Sequence, residues 1–114
     1  MDDCIFCKIG AHKLQAMVVY EDQEILAFRD IDPQAPVHIL VIPKHHYASP
    51  NDFSEADTAL LGRLILAGQQ IAKQERLAER GYRLVLNCGL DGGQSVTHVH
   101  LHVLGGRHMR WPPG

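Results

Sequence analysis

Apolar and polar positions change their period several times along the chain, and each change marks a predicted element. Val18-Val19-Tyr20-Glu21 and Ile25-Leu26-Ala27-Phe28 flank the polar turn Asp22-Gln23, as two antiparallel strands of a hairpin would. Asp32-Pro33 and Ala35-Pro36 break the chain before His38-Ile39-Leu40-Val41-Ile42, a continuous apolar run that Pro43 ends and that reads as a strand buried on both faces. From Ser54 the period lengthens: Leu60, Leu64, Ala67 and Ile71 recur at helical spacing, while Arg63, Gln70 and Lys73 fall on other faces. An amphipathic helix of roughly five to six turns is expected, opened by a Ser54/Asp57 capping box, with Gly81 as the stop after Arg80. Gly62 and Gly68 each cost it up to about 1 kcal/mol relative to alanine, which predicts close packing against a sheet. Tyr82 to Asn87 reads as a fourth strand. The fifth, His98-Val99-His100-Leu101-His102-Val103-Leu104, alternates strictly, so Val99, Leu101 and Val103 bury one face while three imidazoles occupy the other.

Three strands, one long helix and two more strands fit an α+β domain: a mostly antiparallel five-stranded sheet with the helix packed on it. A parallel doubly wound sheet would need a crossover helix between most strands, and a single long helical pattern is present. No repeat, low-complexity tract or linker divides residues 1–114, so one domain is expected. With 46% hydrophobic and 21% charged residues, the chain can bury one core. A net charge of -2 gives no support for binding a nucleic-acid polymer or a membrane surface, though a single nucleotide is compatible with it. The acidic start and the lack of a long apolar run point to a cytoplasmic protein. Three cysteines, an odd count, argue against a disulfide framework and leave Cys4-x-x-Cys7 as metal ligands, redox thiols or small apolar residues.

The candidate chemistry lies at the end of the chain. Gly89-Leu90-Asp91-Gly92-Gly93-Gln94-Ser95 precedes the histidine strand, and adjacent glycines let backbone N–H groups converge on an anion, with the Ser95 hydroxyl beside them. The three imidazoles admit three readings: a metal centre, a solvated polar face, or an acid/base or nucleophilic site. Alternate residues of a strand lie about 6.6 Å apart, so three nitrogens from one straight strand converge on one ion only awkwardly. A nucleophilic histidine needs one free nitrogen, the other fixed by a hydrogen bond, and donors for developing charge. His100, flanked by His98 and His102 and preceded by the glycine turn, meets that pattern.

These residues resemble the histidine triad superfamily, whose His-φ-His-φ-His-φ-φ signature His98 to Leu104 matches. Asp91 to Val96, Leu104-Gly105-Gly106-Arg107, Trp111-Pro112-Pro113-Gly114, Phe28 to Pro36 and Ile42-Pro43-Lys44 are most similar to its Hint branch. The resemblance implies a purine nucleoside phosphoramidase acting on AMP-amide or aminoacyl-adenylate-type substrates through a covalent nucleotidyl-histidine, with no cofactor required for catalysis. His100 would be the nucleophile and His102 the phosphate contact, with His98 and His38 behind them and Ser95 assisting. Asn87, Gly93, Gln94, Ser95 and Val96 would contact phosphate or leaving group, Asp30 the ribose, and Phe6, Ile9, Phe28 and Ile31 the purine. A homodimer with one continuous sheet is implied, in which Trp111 reaches the partner's site. Thr97 departs from the aromatic residue often found there. Zinc-bearing relatives have cysteines like Cys4 and Cys7, so a structural zinc on Cys4, Cys7, His46 and His98 is compatible with the resemblance. Two other functions share these motifs: a dinucleoside polyphosphate hydrolase, and a nucleotide-binding regulatory protein with little catalysis. A thioredoxin-like redox role for the cysteine pair lacks its strand-helix context.

Overall fold

A computed structural model describes residues 3–114. The elements run α1 (Ile5–Gly10), β1 (Val18–Glu21), β2 (Ile25–Arg29), β3 (Val37–Pro43), α2 (Thr58–Gln74), β4 (Tyr82–Leu86) and β5 (Leu101–Gly105), with short 3-10 turns at Pro50–Asp52 and Glu55–Asp57. The five strands form one sheet in the order β1-β2-β3-β5-β4, and every neighbouring pair is antiparallel. This is the expected α+β architecture.

β3 lies at the centre and is buried over Ile39, Leu40, Val41, Ile42 and Pro43, as a strand covered on both faces must be. Its alternate residues serve different cores. Ile39 and Val41 join Ile25, Ala27, Leu101, Val103 and the buried stripe of α2, including Leu64, Ala67 and Ile71. Leu40 and Ile42 join Leu26, Phe28 and the α1 residues Phe6 and Ile9 on the opposite face. The histidines share this second face, away from the long helix.

Three sequence expectations are corrected at element ends. Ser54 and Asp57 do form a capping box, but around the 3-10 turn that leads into α2, and α2 ends at Gln74 instead of running on to Gly81. The stop is Arg76, in the left-handed region at φ 62°, with Leu77 N–H returning to Ala72 C=O at 2.8 Å to close a Schellman-like turn. Gly68 does pack on the sheet, since a Cβ there would lie 3.2 Å from Leu101 and 3.3 Å from Leu84, whereas Gly62 faces open space. The last strand begins at Leu101, not His98. β3 ends at Pro43, and Val99 N–H instead bonds Tyr47 C=O at 2.8 Å, where the chain has already turned away. Alternation survives this change: Val99 stays in the α2-side core, and His98 and His100 stay on the other face. The residue pattern does not predict α1, because six residues are too few to display a helical period.

Candidate active site and metal centre

The triad histidines share a face but not a task, and their hydrogen bonds separate them. His100 is buried, and its Nδ1–H donates to the His98 carbonyl at 2.8 Å. A carbonyl only accepts, so the imidazole proton sits on Nδ1 and the Nε2 lone pair is left for a reaction partner. Burial is the main influence holding the His100 pKa below its usual value, so the ring is neutral at neutral pH and its lone pair available.

His102 has the opposite tautomer. Gln34 N–H donates to His38 Nδ1 at 3.0 Å, which places the proton of neutral His38 on Nε2. That Nε2–H donates to His102 Nδ1 at 2.8 Å, leaving His102 with its own proton on Nε2. Leu40 pairs directly with His102 across β3 and β5, so His38 is the diagonal neighbour that can reach it. Burial, reinforced by His100 and His38, lowers the His102 pKa to about 4; burial likewise lowers His38, against the opposing pull of the Asp30 carboxylate 3.5 Å away. The pair is therefore a neutral donor chain. Asp30, His38 and His102 have the composition of a metal triad, but the 2.8 Å N···N contact shares one proton and occupies both atoms.

His98 faces away from this chemistry. Its Nε2–H donates to the Pro43 carbonyl at 2.8 Å, so Nδ1 carries the lone pair, directed at Cys4 Sγ (3.4 Å), Cys7 Sγ (3.5 Å) and His46 Nδ1 (3.1 Å). Cys7 Sγ lies 3.3 Å from His46 Nδ1. A tetrahedral zinc, with bonds of about 2.3 Å to sulfur and 2.0 Å to nitrogen, requires S···N edges of about 3.5 Å and N···N edges of about 3.3 Å. The three S···N distances of 3.3 to 3.5 Å and the N···N distance of 3.1 Å stand close to those figures, and all four ligand atoms lie within 4.8 Å of one another. Burial and then the Cys4 thiol push the Cys7 thiol up to about 11, so a cation is what would draw off its proton. The donor set and its spacing fit a structural zinc, and the Pro43 carbonyl supplies the outer hydrogen bond that fixes a ligating imidazole.

A cavity of about 400 Å³ opens in front of His100 and His102, within the size range of small-ligand sites. Of the residues expected at a nucleotide, Phe6, Ile9, Phe28, Asp30, Ile31, Ser95, Val96, His100 and His102 all line it. The Phe6 ring stands edge-on to Phe28 and to His100 at centroid distances of 5.4 and 5.2 Å. Ile31 is fully exposed at the rim. Ile5, Leu14, Gln15, Ala16, Arg29 and Leu40 complete the lining, and the sequence pattern does not single them out. Leu40 was legible in principle, since a strand buried on both faces must give alternate residues to each.

The remaining candidates lie outside the lining. His38 and His98 sit behind His102 and His100. Asn87 Nδ2 donates to Gly92 C=O at 2.6 Å, and the Gln94 amide donates to Ala48 C=O (2.6 Å) and Val96 C=O (2.9 Å) while its oxygen accepts from Gly89 N–H (3.0 Å). Those bonds shape the glycine turn. Gly93 needs its positive φ of 74°, and a Cβ at Gly92 would collide with the Cys88 backbone. Trp111 projects from the C-terminal segment, 82% exposed.

Comparison with known proteins identifies the family and the fold. The HIT domain profile matches residues 11–109. An uncharacterized HIT-like protein of Synechococcus elongatus is 54% identical over 99% of this chain and 98% of its own length. The crystal structure of a HIT family hydrolase from Legionella pneumophila superposes with a TM-score of 0.96 at 54% identity, covering 98% of this chain and all of that one. A histidine triad nucleotide-binding protein from Candida albicans superposes with a TM-score of 0.82 at 30% identity, covering 96% and 83% of the two chains.

Proposed function

This chain belongs to the HIT domain family, and from that premise we propose that it is a purine nucleoside phosphoramidase of the Hint type, with His100 as its nucleophile. The observation that carries the reading is the His100 Nδ1–H bond to the His98 carbonyl, which leaves an unprotonated Nε2 on a ring lining a cavity whose apolar wall includes Phe6, Ile9 and Phe28. The apolar wall suits a purine, the Asp30 carboxylate can accept from two ribose hydroxyls, and the Ser95 and Val96 turn lies where a phosphate would meet His100 and His102.

The Nε2 lone pair forms a bond to phosphorus while the bond from phosphorus to the leaving amine breaks. His102 Nε2–H, held outward by His38, donates to a phosphoryl oxygen as its charge grows. The amine takes up a proton from solvent as it leaves in the first displacement; in the second, the oxygen of a water replaces His100 Nε2 on phosphorus and its proton returns to solvent, so one water is consumed overall. AMP departs and His100 is neutral again. Two displacements replace one difficult step. No step requires a metal. Cys4, Cys7, His46 and His98 would hold a zinc that takes no part in the bond changes.

The proposed enzyme is a cytoplasmic homodimer. β4 is an edge strand, and exposed Leu86 with exposed Ile65 and Leu66 on α2 provide apolar surface for a second copy to extend the sheet. Trp111 would then serve the partner's leaving-group side. The deciding experiment is a single turnover with 32P-labelled AMP amide. A labelled adduct that disappears in His100→Ala, with turnover reduced about a thousandfold or more, is expected; full turnover by that variant rules the mechanism out. Faster cleavage of diadenosine triphosphate than of the amide would favour a polyphosphate hydrolase, and AMP binding without adduct would favour a regulatory protein.

A further inference from the structure

We propose that the Cys4, Cys7, His46 and His98 cluster is a positioning device for the nucleotide site: a cation held there fixes both the main chain that orients His100 and the α1 wall of the purine slot. The inference rests on the nucleotide reading of the cavity and concerns what sets its geometry.

Two physical links join cluster and site. The first is His98, which is fully buried and fixed at three atoms. Nδ1 points into the cluster, Nε2–H is bonded to Pro43 C=O at 2.8 Å, and its own carbonyl accepts the Nδ1–H of His100 at 2.8 Å. The bond that sets the nucleophile's tautomer therefore ends on a ligand residue. This segment precedes the β5 ladder, and the peptide that carries the His98 carbonyl is held instead by Val99 N–H bonding Tyr47 C=O at 2.8 Å, next in sequence to the ligand His46.

The second link is α1. Six residues are far below the length at which a helix persists unaided. Its N-cap is Cys4, whose Sγ accepts from Cys7 N–H at 3.3 Å, so two of the four ligands also form its first turn. Phe6 lies between them in sequence, and its ring meets His98, His100 and Phe28 edge-on at 5.9, 5.2 and 5.4 Å. Binding Cys4 and Cys7 to one ion fixes the direction from which Phe6 enters the slot. His46 comes from the chain after β3, so the cluster ties three separate segments at the back of one cavity.

A merely structural staple would change melting temperature and leave the folded site as it was. The readouts are therefore AMP affinity by calorimetry and the His100 ring nitrogens by 15N NMR, in reduced protein shown folded by circular dichroism. Protein stripped with a chelator and His46→Ala are expected to bind AMP about tenfold or more weakly and to lose the single Nδ1–H tautomer of His100. Zn²⁺ restores the stripped protein, and His46→Cys, which makes a Cys₃His site, restores the variant. If removal of a ligand prevents folding, exchange of Zn²⁺ for the larger Cd²⁺ in the intact protein is expected to shift both readouts. Unchanged AMP affinity and an unchanged His100 spectrum across stripped, variant and Cd²⁺-loaded protein would overturn the proposal. Failure of the zinc-loaded wild type to bind AMP would instead reject the nucleotide reading, and the His100 spectrum would still decide the coupling.

Discussion

His100 and His102 are the same side chain two positions apart, yet they present the same nitrogen, Nε2, to one cavity in opposite protonation states, a lone pair on His100 and an N–H on His102. What lies behind each ring makes the difference: a main-chain carbonyl for His100, and the Gln34-to-His38 donor chain for His102. The sequence shows three imidazoles on one face, but not their tautomers, because the partners are main-chain groups and a histidine 64 residues away. His38 and His102 are held neutral, chiefly by burial, and so bind fewer protons in the folded than in the unfolded chain over one pH window. Their contribution to stability is present above the unfolded value of 6.5 and is lost as pH falls toward the His102 value of about 4. Denaturant midpoints measured from pH 7 to 4 are expected to fall through that window, and to fall less in His102→Gln. Equal slopes would mean that this ring does not drive the acid sensitivity. Gly92→Ala, whose new Cβ would meet the Cys88 main chain, is expected to displace the glycine turn and weaken AMP binding about tenfold while β5 stays paired, as amide exchange would show.

At the scale of elements, periodicity located every strand and the long helix, and erred where a tertiary contact or an unusual residue sets an end. α2 stops at Gln74 because Arg76 takes the left-handed position usually given to glycine, and Leu77 returns to the core to seal the turn. An arginine carries no such signal in sequence. Arg76→Gly is expected to stabilise the protein by about 1 kcal/mol, seen as a rise of a few degrees in Tm, since only a non-glycine residue is strained there. Gly68→Ala should do the reverse despite alanine's better helix propensity, because Leu84 and Leu101 lie against the new methyl; a higher Tm would show that these side chains yield. α1 was beyond the reach of periodicity, since its short span is held by Cys4 capping and by Phe6 and Ile9 packing on β2 and β3.

For the whole molecule, the central fact is a sheet with two unlike faces. One is sealed by α2, and the other is partly covered by α1 and leaves a cavity over the histidines. No described helix is long and apolar enough to cross a bilayer. The proposed dimer follows from the β4 edge, and light scattering is expected to give twice the chain mass of 12.7 kDa for the wild type and the monomer mass for Leu66→Glu/Leu86→Glu. A monomeric wild type would reject that assembly and any role of Trp111 in a partner's site. The sequence by itself determined the strand faces, the α+β order and the residue types at the site, because alternation and helical period are local properties of the chain. The strand order, the covering of the second face by α1, and the division of the triad were decided only in three dimensions. His98 joins Cys4, Cys7 and His46, His100 keeps a free Nε2, and His102 leans on His38, because each role depends on hydrogen bonds and ligand distances between segments far apart in sequence.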